Sequence, residues 1–457
     1  MAKRPLVLIH GYSASGGSFD RWRQIFLECG YKPADLHVCT YKSLTNEITV
    51  KDLAEGMDRA LREQTGLDAD QEFDAVVHST GMLIVRSWMA TYATRRARLK
   101  HLIALAPATF GSPLAHKGRS WLGSIFRGNR ELGPDFLDAG DLILDGLELG
   151  SAFTWNLAHE DLIGEKPFYG SSDDTPFAFV FCGASKYGFP LSLISEDGSD
   201  GTVRLAGAPL NTRKIDLDLT VEQGRIRTER RVQTAPWSNI DIPVIPLENL
   251  DHGTILSRPS SDLIELVMEA LAVTDSASFS AWHDRATAHA ARVFAKLEKA
   301  ELLEPWQQFV VRVVDERGDP IPDWFIEFIV KEKDKRKWSP IANPTMRVRP
   351  YSTDPSYRCL HIRLDTLGLH DGDVPGIRLT ASSGTTLVAY EGYSDEDVSI
   401  YHDIESVDEQ EEWGGVIDLS SLENISLFHP FTTTLIEIKL NREPQPPSGP
   451  NKLFSFP

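Results

Sequence analysis

The run Val77-His78-Ser79-Thr80-Gly81 limits what this chain can become more than any other stretch. An apolar segment of strand length, 73–77, precedes it, and an apolar segment of helix length, 82–92, follows it. A serine on a sharp strand-to-helix turn, flanked by small or flexible residues, is a candidate hydroxyl nucleophile. Such a turn requires a sheet edge to stand on, so the surrounding chain has to supply a sheet.

Residues 1–275 alternate strand and helix signals. The apolar run 5–9 reads as a strand buried on both faces, and 36–41, 73–77 and 102–106 continue the series. Between them, 51–63 places Leu53, Met57 and Leu61 at helical spacing. This alternation predicts a mostly parallel sheet with right-handed crossovers and flanking helices. The pattern breaks at 108–170, a segment rich in glycine and large apolar residues, and resumes with strands at 177–181 and 244–247 and a helix at 263–271. Ile215, Leu217 and Leu219 alternate with charged residues, Gln223-Gly224 turns, and 226–232 returns, as in a hairpin. The stretch 276–304 reads as a connector helix. After Pro305 the apolar period becomes two, and 305–441 is expected to form an all-β sandwich. The proline-rich segment 442–457 reads as a tail.

Composition excludes some functions. A formal net charge of −19 disfavours nucleic acid, whose phosphates demand a basic face. No apolar stretch approaches the ~18 residues of a membrane span, so membrane contact is expected to be a transient meeting with a lipid interface. The chain runs from Met1 into its first strand without a signal-peptide core, which makes the cytoplasm the expected location, with signal-independent secretion as the other route. The 4 cysteines show no paired spacing and read as reduced thiols. No His/Cys/Glu cluster has metal spacing, so neither a metal nor another cofactor is expected. The acidic stretch 395–412 reads as a solvated loop.

A serine hydroxyl attacks only if an imidazole takes its proton and a carboxylate orients that imidazole. On a parallel sheet these groups gather beyond the carboxyl ends of the strands. Asp200, in Gly198-Ser199-Asp200-Gly201-Thr202-Val203, and His252, in Asn249-Leu250-Asp251-His252-Gly253-Thr254, both follow strand candidates. With Ser79 they stand in the chain order serine, acid, histidine. Asp197 is a substitute acid, and Asp251 a capping or supporting group. An oxyanion hole needs two fixed backbone N–H donors. Thr80, beginning the helix after the serine, and Tyr12, in His10-Gly11-Tyr12 after the first strand, are the candidates. His10 and His78 flank the site and read as packing residues.

Together, Ile9-His10-Gly11-Tyr12, Val77-His78-Ser79-Thr80-Gly81, Ser199-Asp200-Gly201-Thr202-Val203 and Asp251-His252-Gly253 resemble an α/β-hydrolase of the bacterial lipase type. The stretch from Leu105 to Pro113 resembles the segment that follows the next strand in those lipases. The resemblance covers 4–272. It implies a Ser79–Asp200–His252 triad, an acyl-enzyme and a cap over the site. Val77 stands at the family's first glycine, and fits if the adjacent strand leaves room. The lid is expected within 108–170, with Trp121, Leu122, Ile125 and Phe126 offering an apolar face to an acyl chain. The expected activity is carboxylic-ester hydrolysis, of a small-molecule or lipid ester, by a lipase or esterase. The alternatives are a phospholipase or lipid-degrading toxin, and an inactive binding module. What protein partner, if any, the C-terminal domain engages is left open.

Overall fold

Six parallel strands form the central sheet of the first of two units in this computed structural model. Residues 3–12, 16–41, 47–67, 70–117, 140–164, 168–170, 175–188, 192, 195–220, 231–235, 241–385, 387–394, 415–419 and 427–444 are described. Unit 1 comprises Met1–Arg213, Pro236–Trp306 and Phe431–Thr433. Unit 2 comprises Lys214–Ala235, Gln307–Pro430 and Thr434–Pro457.

In chain order the strands begin with β1 (Leu6–Ile9), β2 (Leu36–Cys39), β3 (Phe73–His78), β4 (Leu99–Leu105) and β5 (Phe177–Gly183). Next come β6 (Thr212–Asp218) and β7 (Arg231–Ala235), an antiparallel pair in another sheet whose expected turn, Gln223-Gly224, lies outside the described residues, and then β8 (Val244–Leu247). The central sheet runs β2-β1-β3-β4-β5-β8. The chain goes outward from β1 to β2 and then returns to β3 on the other side. The order therefore reverses between β1 and β3, and their carboxyl ends flank the crevice where parallel sheets bind ligands.

Among the described residues the α-helices of unit 1 are α1 (Asp20–Glu28), α2 (Val50–Glu63), α3 (Gly81–Thr91), α4 (Ala93–Arg96), α5 (Asp141–Leu147), α6 (Ala152–Asp161), α7 (Thr254–Ser257), α8 (Ser261–Ala270) and α9 (Ser276–Lys299). α2 starts at a reciprocal cap between Thr49 and Asp52, which satisfies two otherwise orphaned donors. α3 is buried along most of its length, as its largely apolar sequence favours, and it carries Arg86 into the interior. α9, read from sequence as a connector, is packed into the core of unit 1. Its Phe279, Trp282, Ala286 and Ala290 join Phe179 and Phe181 of β5, with Trp282 edge-on to Phe179 at 4.6 Å.

The segment 108–170 is built into the body of unit 1 at both its described ends. Asp161, at the end of α6, accepts two hydrogen bonds from Arg86 of α3, at 2.7 and 2.8 Å, and a third from Tyr169 Oη–H at 2.8 Å. Both charged groups are fully buried. Arg86 also donates to the Thr109 carbonyl at 2.7 Å. The residues expected to face an acyl chain, Trp121, Leu122, Ile125 and Phe126, lie outside the described residues, as do 395–412.

Unit 2 is a β-sandwich. Its strands, after β6 and β7, are β9 (Trp306–Asp315), β10 (Asp323–Lys331), β11 (Ser339–Pro340), β12 (Met346–Pro350), β13 (Tyr357–Arg363), β14 (Val374–Ser382), β15 (Ala389–Glu391), β16 (Gly415–Asp418) and β17 (Thr433–Glu443). One sheet runs β11-β10-β14-β16, the other β12-β13-β9-β17-β6-β7, with β15 on β17. Inward residues of both sheets, among them Leu217, Phe309, Ile326, Leu360, Ile377 and Ile438, form one core. The hairpin β6–β7, which lies within the 1–275 segment of the sequence, thus belongs to the sandwich.

Removing one partner of a buried ion pair leaves a bare charge, at a cost of about 3–5 kcal/mol. Asp161→Ala is expected to lose stability on this scale through the stranded Arg86. Urea unfolding should show a lower midpoint at an unchanged slope.

Candidate active site

Ser79 lies at the turn between β3 and α3 with φ 54°, a left-handed backbone for a residue with a Cβ. Backbone bonds hold it there. Ser79 N–H donates to the Leu105 carbonyl at 3.2 Å, and the Ser79 carbonyl accepts from Met82 and Ala108 N–H, each at 3.1 Å. The turn packs against the end of β1. A Cβ on Gly81 would stand 2.6 Å from the Ile9 carbonyl oxygen, so only glycine fits there. Val77 pairs with Ile9 on one side and with Ala104 on the other, and the small alanine leaves the room that a β-branched side chain needs. Val77 is fully buried, and the sharp turn persists with it present.

The loop after β1 reaches the serine. A Cβ on Gly11 would lie 2.8 Å from Ser79 Cβ and 3.3 Å from Ser79 Oγ, which puts the Gly11–Tyr12 peptide beside the hydroxyl. Tyr12 is buried. Thr80 is the first residue before α3, where backbone N–H groups and the helix dipole favour negative charge.

Asp200 and His252 come together from loops after β5 and β8. Asp200 Oδ2 accepts from His252 Nδ1–H at 2.8 Å, and the Asp200 carbonyl accepts from His252 N–H at 3.0 Å. Asp200 Oδ1 accepts from the backbone N–H groups of Thr202 and Val203 at 3.0 and 2.8 Å. The carboxylate is therefore fixed at both oxygens. Its bond to Nδ1 leaves the neutral imidazole's lone pair at Nε2, the form a general base requires. A buried ion pair, Arg204 to Glu196 at 2.7 Å, staples the turn that carries Asp200. Asp197, the substitute acid, instead pairs with Lys186. Asp251 caps α7, accepting from Gly253 and Thr254 N–H at 2.9 and 2.7 Å.

His78 joins the serine turn to the histidine loop. Its Nε2–H donates to the His252 carbonyl at 2.9 Å, and the two rings lie 4.6 Å apart. Burial holds the His78 pKa well below the ordinary histidine value, and the neighbouring His252 adds to the effect. His10 is likewise depressed by burial, against a raising contribution from its bond to the Gly11 carbonyl. Burial, with Asp200 nearby, raises the Cys182 thiol well above its usual range, so it stays protonated. The sequence motifs put forward Ser79, Asp200, His252, Tyr12 and Thr80 as candidates. They give no sign of the Glu196–Arg204 staple or of Tyr41, whose ring stacks on His10. Tyr41 follows β2, and only the folded sheet brings it to β1.

No protein-family model matches the chain, and no curated protein sequence matches it. Among solved structures it is similar to phospholipase PlaB from Legionella pneumophila. That likeness has 22% identity, covers 97% of this chain and 94% of that one, and has a TM-score of 0.76. A second structure of that phospholipase, in complex with thio-NAD, matches at 22% identity over 96% and 93% of the two chains, with a TM-score of 0.75. The likeness spans both units and establishes the fold: an α/β-hydrolase with an added β-sandwich.

His78 also makes stability depend on pH. It is held neutral in the fold, and unfolding returns it to its ordinary value near 6.5. Below that pH the unfolded chain binds more protons than the folded one, so stability is lost as pH falls. His78→Gln keeps an amide donor for the His252 carbonyl and removes the titration. Urea unfolding from about pH 7 to about pH 5 should show the wild type losing more stability than the variant. Equal losses would assign the pH dependence to other groups.

Proposed function

We propose that this chain is a serine carboxylic-ester hydrolase in which Ser79 is the nucleophile, His252 the base and Asp200 the acid that orients it. The observation that carries the reading is the buried His252–Asp200 pair, bonded through His78 to a serine on a left-handed turn. Ser79 Oγ attacks the acyl carbonyl carbon as its proton passes to His252 Nε2. Asp200 steadies the imidazolium, and its fixed position means that little reorganisation accompanies the charge. The tetrahedral oxyanion is received by Tyr12 and Thr80 N–H. Collapse breaks the bond to the alcohol, which leaves with the proton from His252. Water, activated in turn by His252, then releases the acid and restores Ser79.

A phospholipid is the favoured substrate within this reading. What supports it is the likeness to a phospholipase over nearly the whole of both chains, sandwich included. A cleaved ester in a bilayer sits near the interface, so the protein needs to meet the lipid surface rather than cross it. Among the described residues no helix is long and apolar enough to span a membrane.

Two assays test the proposal. Wild type, Ser79→Ala and Asp200→Asn are compared on p-nitrophenyl esters with acyl chains from C2 to C16, and on phosphatidylcholine vesicles. Turnover by wild type with a loss on the order of 10⁴-fold or more in both variants is expected. Undiminished turnover by Ser79→Ala would remove the serine mechanism. Fatty-acid release from vesicles supports the phospholipid reading, whereas ester turnover without such release confines the enzyme to simple esters.

A further inference from the structure

We propose that the His10 side chain sets the direction of the Tyr12 N–H, and so builds half of the oxyanion hole, with Tyr41 holding His10 in the one orientation that does this. The inference rests on the serine-hydrolase reading and deepens it. His10 acts through a peptide group rather than on substrate, and is a positioning residue.

The argument begins with Gly11. A Cβ there would collide with Ser79, so glycine is required at this point. Glycine, however, allows the peptide after it to rotate more freely than any other residue would. The Gly11–Tyr12 peptide is planar and trans, so the Gly11 C=O and the Tyr12 N–H point in opposite directions. If that peptide turns over, a carbonyl oxygen replaces the N–H beside the developing oxyanion, and attraction becomes repulsion. Whatever grips the Gly11 carbonyl therefore decides whether the hole exists.

The grip is His10 Nδ1, 2.8 Å from the Gly11 oxygen. A carbonyl only accepts, so Nδ1 carries the proton. In the neutral ring Nε2 is then an acceptor, and the Tyr41 backbone N–H points at it from 3.4 Å. Tyr41 Oη–H donates to the His10 carbonyl at 2.8 Å, and the two rings stack at 4.2 Å with 6° between their planes. His10 is fully buried. Tyr41 thus fixes the ring plane and the backbone of His10 through its side chain, and the tautomer through its own backbone N–H. A packing role would be served by an apolar residue of similar size. The polar satisfaction at both ring nitrogens calls for a donor at Nδ1 specifically.

That specificity supplies the test. The amide nitrogen of asparagine mimics Nδ1 of histidine, whereas that of glutamine mimics Nε2. Wild type, Ser79→Ala, His10→Asn, His10→Gln, His10→Ala and Tyr41→Phe are compared for kcat and KM on a short p-nitrophenyl ester. The rate of fluorophosphonate capture by Ser79 is measured alongside. His10→Ala and His10→Gln should lose kcat on the order of 10²-fold, near the loss from deleting an oxyanion donor, with KM changed by less than about threefold. Capture should slow in parallel. His10→Asn should recover most of the rate, and Tyr41→Phe should fall between. Equal rates for the asparagine and glutamine variants, or a loss confined to KM, would overturn the inference and leave the hydrolase reading intact. If His10→Ala does not fold, the comparison of asparagine with glutamine decides alone. Wild-type turnover that is unaffected by Ser79→Ala would end both.

Discussion

The left-handed backbone at Ser79 is the constraint around which the first unit is arranged. A residue with a Cβ in that region costs about 1–3 kcal/mol, and it persists only when its surroundings over-determine it. Here they do. β4 supplies a carbonyl to its N–H, α3 and the chain after β4 supply donors to its carbonyl, and the end of β1 lies under the turn at Gly81. Because β1 and β3 are neighbours at the reversal of strand order, the same packing that enforces the turn also delivers the Gly11–Tyr12 peptide to the hydroxyl. Strain and site geometry have one cause.

A second layer of fixed polar groups surrounds that turn. Asp200 is gripped at both oxygens, the turn that bears it is stapled by Glu196–Arg204, and His78 ties the histidine loop to the serine. All of these groups are buried, where an unmade hydrogen bond is expensive and a made one resists exchange with water. The neutral state of His78 fits this arrangement. A second cation beside His252 would oppose the imidazolium that ester cleavage has to form.

Much of this was legible in the sequence because it is local. The strands of the central sheet are short apolar runs, and the motif around Ser79 carries its own turn chemistry. Three strands of the sandwich were not legible. β11 is two residues including a proline, β12 alternates with arginines as an edge strand can, and β16 follows an acidic run. Partnership across the chain was equally hidden. Nothing in the spacing links Arg86 to Asp161 or His10 to Tyr41, since each pair meets only when separate elements pack. The hairpin expected at 215–232 shows the limit most clearly: its first strand reads from the period, its second lies at Arg231–Ala235 rather than 226–232, and the sheet it enters depends on strands far downstream.

That hairpin imposes an order of events on a chain made from one end. β6 and β7 leave the ribosome before the other described strands of their sheet, and β17, which pairs with β6, is made long after them. At about 5–20 residues per second, the delay is on the order of tens of seconds. Until the strands from β9 onward are made, Ile215, Leu217 and Leu219 have no sandwich core to enter, and until β17 is made β6 presents an open edge. The interleaving of the two units in sequence thus turns a static question of topology into one of timing. The nascent chain has to keep one edge of an apolar ribbon in reserve until β17 arrives.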